Sequence, residues 1–296
     1  MKITWPQFVR CWYLLSVGVI IASMPFSKFL ISIGQFMLIG GWVVGRFDNR
    51  HWMETMGPLS LRNRILRILP LSLMLIAKGI AGGFREFFRH RAALLFSSIL
   101  LLHVAGLLFT TDFHYALKDL RTKLPLLIIP LVFATTPSIT PPVFRRYLFL
   151  LLLALTVRTL FNTWAIETRD FIDLREVSRN VSHIILGLLL SLGIFISGYF
   201  LFQKGRKNLI TRAVWLLLIS WFVTYLVLSA SFTGLAISLV VLVFLTPFLI
   251  RQATCRIVRW TLTIATVLLV MLPAWYLRGI IRDYYYIAPV EFSSLE

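Results

Sequence analysis

Long stretches without a single Asp, Glu, Lys or Arg dominate the chain. They cover 11–27, 29–45, 92–111, 124–144, 147–157, 180–203, 213–250 and 260–277. A bilayer core of ~30 Å takes about 20 helical residues, so most of these stretches predict membrane-crossing helices. The stretch 213–250 holds 38 uncharged residues. As one helix it would be ~57 Å long, about twice the hydrocarbon thickness. It has to double back, and its small, polar cluster Ser229-Ala-Ser-Phe-Thr-Gly234 predicts a tight turn there. Nine crossings follow, at about 9–26, 28–45, 92–110, 123–137, 145–164, 182–202, 213–229, 234–250 and 258–277. The fourth is short, bracketed by Pro125 and Pro137 with Pro130 inside it. Proline removes a backbone donor, so a kink or partial re-entry is expected.

The segment 65–84 is also apolar, but Arg67, Pro70 and Lys78 interrupt it. Its uncharged run from Ile68 to Ala77 is only ~15 Å long as a helix and cannot cross. It predicts an amphipathic helix lying on the membrane within a basic segment, 46–91.

Charge sets the orientation, because Lys and Arg stay on the cytoplasmic side. With nine crossings and a cytoplasmic N-terminus, the inner segments hold 20 basic and 3 acidic residues, and the outer ones 10 and 9. Letting 65–84 cross, or keeping 123–137 from crossing, would move the Lys204–Arg212 cluster outside. The N-terminal basic and apolar stretch lacks a small-x-small cleavage site and reads as a retained first span.

Composition agrees with this reading. Of 296 residues, 58% are hydrophobic and 14% charged, where a soluble domain carries about 25% charged residues. The fold class is therefore an all-α polytopic membrane protein with a periplasmic C-terminal tail. The net charge of +18 is mostly topological and favours anionic membrane lipids as partners rather than nucleic acid. Cys11 and Cys255 cannot form a disulfide framework.

Candidate chemistry lies on the outer segments. Arg169, Arg175 and Arg179 share one of them, and Arg175 and Arg179, four apart, share a face on a helical turn. Two guanidinium forks suit a phosphate or pyrophosphate. The nearby Glu167, Asp170, Asp173 and Glu176 could equally pair with them, and charge counting leaves both readings open. Arg158 lies about six residues inside the outer end of the fifth crossing. An arginine there costs a few kcal/mol unless it snorkels or finds a partner, so it either reaches for the outer face or contacts a lipid-linked phosphate. His103 and His183 read as packing or hydrogen-bonding residues. The histidines lack zinc spacing, and there is no Asp-x-Asp pair, Walker loop or dinucleotide fingerprint. Neither a metal nor a cofactor is expected.

The run from His103 through Thr111-Asp-Phe-His-Tyr-Ala-Leu-Lys-Asp-Leu-Arg-Thr-Lys-Leu-Pro125 to Pro130 resembles the O-antigen ligase family, in its Bacteroidetes-type branch. Ile172-Asp-Leu-Arg-Glu-Val-Ser178 with Ser182-His-Ile184, and the Ser229–Gly234 hairpin, are similar to the same branch in the same order, over roughly residues 90–280. The resemblance implies a bacterial inner-membrane glycosyltransferase. It would move a glycan from undecaprenyl pyrophosphate to a lipid A core or similar acceptor in the periplasm. Arginines would hold the pyrophosphate and a histidine of a large periplasmic loop would be the base. That loop would begin where this chain ends, at Glu296. No catalytic residue is therefore expected within the chain, which reads as the N-terminal part of a longer protein or as a truncated homologue. Ile185 stands where the branch commonly has an arginine. By position, Arg175, Arg179, Arg278 and Arg282 are the pyrophosphate-binding candidates, with Arg158 a further one. The rival readings are a repeat-unit polymerase and a transporter or flippase of lipid-linked glycans.

Overall fold

Glycines set how closely the first two helices pack. In the computed structural model, α1 (Trp5–Ser23) and α2 (Lys28–Gly45) form a hairpin closed by a turn at Met24–Ser27. Ser27 caps α2 by accepting a hydrogen bond from the Phe29 N–H at 3.2 Å. Gly34 lies against Ile20, Gly41 against the Trp12 ring and Gly45 against Val9. The Trp12 indole in turn donates to the Met37 carbonyl at 2.8 Å. A β-carbon at these glycines would push the helices apart.

The structure describes residues 4–47, 54, 61–168, 181–203, 208–229, 231 and 233–242, with Trp260, Thr263, Ile264, Val267, Met271, Trp275, Arg278, Gly279 and Arg282. The helices that follow α2 are α3 (Leu61–Phe87), α4 (Arg91–Gly106, continued by a 3-10 turn to Phe109), α5 (Phe113–Lys123) and α6 (Pro125–Thr135). Then come α7 (Pro141–Thr168), α8 (His183–Phe202), α9 (Leu209–Leu228) and α10 (Thr233–Leu242). No strand occurs among the described residues. Six helices are long and apolar enough to cross a bilayer: Trp5–Ser23, Lys28–Gly45, Arg91–Phe109, Pro141–Ile166, His183–Phe202 and Leu209–Leu228. The chain is thus an all-helical, multi-pass membrane protein.

Of the nine expected crossings, the fourth, eighth and ninth are not among these six. The fourth contains α6, whose 11 residues span only ~16 Å. The eighth is described only to Leu242, and the ninth lies largely outside the described residues. The turn expected at 229–234 coincides with the break between α9 and α10.

Two compact units divide the chain, Met1–Leu151 and Leu152–Glu296. The core of the first gathers Tyr13, Val17, Ile20, Leu38, Trp42, Phe87, Ala93, Leu131 and Val132. Against it lies α3, the amphipathic helix expected from the sequence. Its buried stripe of Leu75, Gly83 and Phe87, with Gly79 between, repeats every fourth residue, while Leu73, Met74, Lys78 and Arg85 are exposed. Gly79 meets the Arg46 backbone and Gly83 the Trp42 ring. Arg46, at the C-terminal cap of α2, holds three elements together. Its guanidinium donates to Glu86 of α3 at 2.7 Å and to the Thr135 carbonyl of α6 at 2.7 Å, and it lies 5.6 Å from the Trp42 ring centroid. Trp42 donates to the Thr135 hydroxyl at 2.7 Å.

In the second unit, α8 packs on both α7 and α9. Gly193 lies against Leu155 and Phe222, each 3.1 Å from where its β-carbon would stand. The Phe200 and Trp215 rings stack with centroids 5.1 Å apart. Ser191 joins Gly187 to the start of α10, donating to the carbonyls of Gly187 at 2.9 Å and Gly234 at 2.8 Å.

Two outcomes follow from this packing. Gly41→Val overlaps the Trp12 ring, and overpacking of this kind costs about 1–3 kcal/mol; thermal unfolding in detergent is expected to shift downward, while Gly40→Val, which meets nothing within 4 Å, leaves it in place. The Arg46 hydrogen bond holds the Glu86 carboxyl below its usual value of 4.5. The folded-state value is the lower one, so this pair stabilises the fold above the ordinary glutamate value and is lost as pH falls below it. The stability difference between wild type and Glu86→Gln is expected to hold from neutral pH to about 5 and to close at more acid pH, read by thermal melts across that range.

Candidate functional site

One face of α7 carries the only arginine buried among the described residues. Leu151, Ala154, Leu155, Arg158, Asn162 and Ala165 recur at spacings of three and four, and all are buried. Arg158 is 7% exposed, and its Nε has no hydrogen-bond partner among the described residues. Arginine does not lose its proton in proteins, so burial cannot be relieved by neutralisation as it can for lysine. The side chain expected either to snorkel or to find a phosphate is therefore held inside the bundle.

Its surroundings are polar and well ordered. Thr159, fully buried, donates within its own helix to Leu155 and accepts from the Trp221 indole at 2.9 Å. One turn on, Asn162 donates from Nδ2 to the Tyr225 hydroxyl at 2.7 Å, with both residues at most 3% exposed. The pairs 159–221 and 162–225 keep nearly constant spacing, so α7 and α9 run parallel here and their register is fixed by two side-chain hydrogen bonds. Tyr225 is also the ionisable neighbour within electrostatic reach of Arg158. Arg158 and Asn162 thus project between hydrogen-bonded helices. That arrangement can take an anion, because a buried guanidinium offers five donors in a rigid fork.

A groove of about 770 Å³ also runs between α7 and α9, lined by Thr156, Leu160, Leu216, Leu217 and Trp221 among others. Thr156 and Leu160 stand on the opposite face of α7 from Arg158, by the helical period of 3.6. The groove is therefore separate from the arginine.

The other candidates fare differently. Arg175 and Arg179 lie outside the described residues. Arg278 and Arg282, expected at the start of the C-terminal tail, are helical and exposed. With Trp260, Ile264, Val267, Met271 and Trp275, also exposed, their spacings of three and four residues are those of one helix face. His103 donates from Nδ1 to the Ile99 carbonyl of its own helix at 2.7 Å, a hydrogen-bonding role within α4. His183 opens α8 and is partly buried. Among the described residues no three His, Cys, Asp or Glu side chains gather as a metal site. Sequence reasoning missed Asn162, Trp221 and Tyr225. The available signal was Asn162, a polar residue four positions from Arg158 in an apolar run.

If the 162–225 hydrogen bond sets the register around Arg158, the two residues are coupled. Asn162→Val and Tyr225→Phe are each expected to cost about 1–3 kcal/mol, and the double variant less than their sum by about 0.5–3 kcal/mol, measured by denaturation in detergent.

Comparison of the chain with protein-family models, with curated proteins and with solved structures finds no match.

Proposed function

We propose that this chain is the membrane part of a glycosyltransferase of the O-antigen ligase type, acting on a glycan carried by undecaprenyl pyrophosphate. The observation that carries the reading is Arg158, a buried guanidinium in an apolar helix whose Nε has no partner among the described residues. The resemblance of residues 90–280 supplies the chemical class. In the proposed topology the N-terminus is cytoplasmic, nine helices cross the inner membrane, and the C-terminal tail is periplasmic. Then α7 runs outward, and Arg158 stands eight residues before Ile166, ~12 Å along the helix.

The proposed reaction forms a bond between an acceptor hydroxyl oxygen and the anomeric carbon of the glycan. The anomeric carbon–oxygen bond to pyrophosphate breaks, and the leaving group gains negative charge. A pre-placed guanidinium stabilises that charge in a dry site. Arg175, Arg179, Arg278 and Arg282 are proposed to share the task at the periplasmic surface. The proton of the acceptor hydroxyl goes to a general base, and the acceptor is a lipid A core sugar or a similar glycan. A repeat-unit polymerase would use the same donor and the same arginines.

In the complete gene, Arg158→Gln is expected to lower glycan transfer about 10²–10³-fold, the loss typical of one transition-state donor. Arg158→Lys keeps a charge but not the fork and falls between. Lipopolysaccharide ladders are read alongside the membrane level of each variant. Wild-type ladders from Arg158→Gln at normal membrane levels would remove the basis of the proposal.

A further inference from the structure

The segment 113–123 is not a loop. Asp112 caps α5 by accepting from the Tyr115 N–H at 3.0 Å, and the helix runs to Lys123, one residue before α6. Both helices lie antiparallel to α4. Ser97 of α4 donates to the Leu126 carbonyl at 3.3 Å, fixing the register. Farther along, a hollow of about 420 Å³ is lined by Leu102, His103 and Gly106 on one side and Ala116, Asp119 and Leu120 on the other, in the same register. Residues 113–135 therefore form one return leg along α4, broken at Leu124–Pro125. Its far end, Thr135, meets Arg46.

This register places cations at unusual depth. Carried on from Ser97–Leu126, it sets Arg121 level with Leu102 and Lys118 level with Ala105. Counted from Phe109 at 1.5 Å per residue, these levels lie ~10 Å and ~6 Å back from the tip of the hairpin. The uncharged run of α4 ends at that tip, with Asp112 the first charge beyond it. Over the same depth Leu101, Leu102, Leu108 and Phe109 are 66–87% exposed, so this wall of the protein faces lipid.

His114, Lys118 and Arg121 are spaced i, i+4 and i+7, hence on one face of α5, and all three are exposed. None has a hydrogen-bond or ion-pair partner among the described residues, whereas Lys123, off the stripe, pairs with Asp119 at 2.5 Å. Beside the stripe, Phe113 and Leu117 are 60% and 57% exposed. The helix thus offers cations flanked by apolar side chains, at the boundary between acyl chains and head groups. Cations at such a depth carry a cost unless they snorkel or meet an anion.

We infer that His114, Lys118 and Arg121 form a binding site for the phosphate of an anionic phospholipid in the leaflet remote from Arg46, with Phe113 and Leu117 against its acyl chains. The site is in the first unit and does not depend on Arg158 or on the proposed transfer reaction. Free inorganic phosphate is disfavoured because the flanking side chains are apolar and the stripe faces the lipid side of the leg.

The test uses the full chain purified in detergent, with phosphatidylglycerol and phosphatidylcholine as probes and retained lipid read by native mass spectrometry. Wild type is expected to retain phosphatidylglycerol over phosphatidylcholine. The double variant Lys118→Gln/Arg121→Gln should lose about thirtyfold of that preference, since each of the two basic residues near the surface contributes on the order of 1 kcal/mol and every 1.4 kcal/mol is tenfold. Lys118→Arg/Arg121→Lys, which preserves charge, should retain it, and Lys123→Gln should leave it unchanged. A thermal melt of each variant separates lost binding from lost folding. Equal retention by wild type and the double variant, or an equal loss in Lys123→Gln, overturns the site. Displacement of the lipid by tens of millimolar inorganic phosphate overturns the lipid as its occupant. Glycan ladders unaffected by Arg158→Gln would leave this result standing, so the two proposals fail separately.

Discussion

Hydrocarbon supplies neither donors nor acceptors, so each polar side chain on an apolar helix has to be satisfied by the protein itself. The described helices meet this demand mostly at short range. Ser16, Ser23, Thr156, Thr163 and Ser197 each donate to the carbonyl four residues back. Trp12, Trp42 and Trp221 use their indole N–H groups between helices. The buried atoms left without a hydrogen bond among the described residues are Ser231 Oγ, Ser238 Oγ and Arg158 Nε. A lone hydroxyl costs about 1–3 kcal/mol, and a charged group costs more. The solution that works for serines and threonines is not available to a guanidinium, which accepts nothing and has five donors to place.

Apolar burial alone does not draw helices together in lipid, since acyl chains are as apolar as leucine. Close approach has to come from small residues. On α2 they are Gly34, Gly41 and Gly45, each against a named side chain of α1. On α8 they are Gly187 and Gly193, and the contact of Gly187 with Ser231 and Gly234 draws the break between α9 and α10 onto α8. Backbones this close let Ser191 bridge two carbonyls on different segments. Packing and hydrogen bonding are here one device: the glycine removes bulk, and the serine uses the space.

Six expected crossings coincide with long apolar helices because a charge-free run of this length has no other stable form in lipid. The ends were read less well. The fifth crossing is expected from about 145 to 164, whereas α7 runs from Pro141 to Thr168, four residues longer at each end. The break between α9 and α10 was legible because 38 uncharged residues cannot be one crossing. The polar segment after α4 stands out in the sequence as an outer segment, but its helix does not, because its charges, taken one by one, show only polarity. Their grouping by face was the missing information: Ala116 and Leu120 turn to α4, and the cations turn elsewhere. Arg158 was singled out by depth alone. Its burial depends on Asn162, Trp221 and Tyr225, up to 67 positions away in sequence, and long-range pairing of that kind has no periodic signature.

The two hydrogen bonds beside Arg158 also bear on why it does not reach for the surface. An arginine snorkels by extending its own stem toward water, and rotation or sliding of its helix would carry the head group farther that way. Here rotation of α7 would break the Thr159–Trp221 and Asn162–Tyr225 bonds together, and sliding would misalign both. Each bond is worth about 0.5–1.5 kcal/mol net, with a larger penalty if a buried partner is left unmade. The register is therefore defended by terms comparable in size to the few kcal/mol that an intramembrane arginine costs. A cation held against its own solvation in this way is preorganised: in the proposed reaction a phosphate would meet a fork already in position and would not have to drive its assembly.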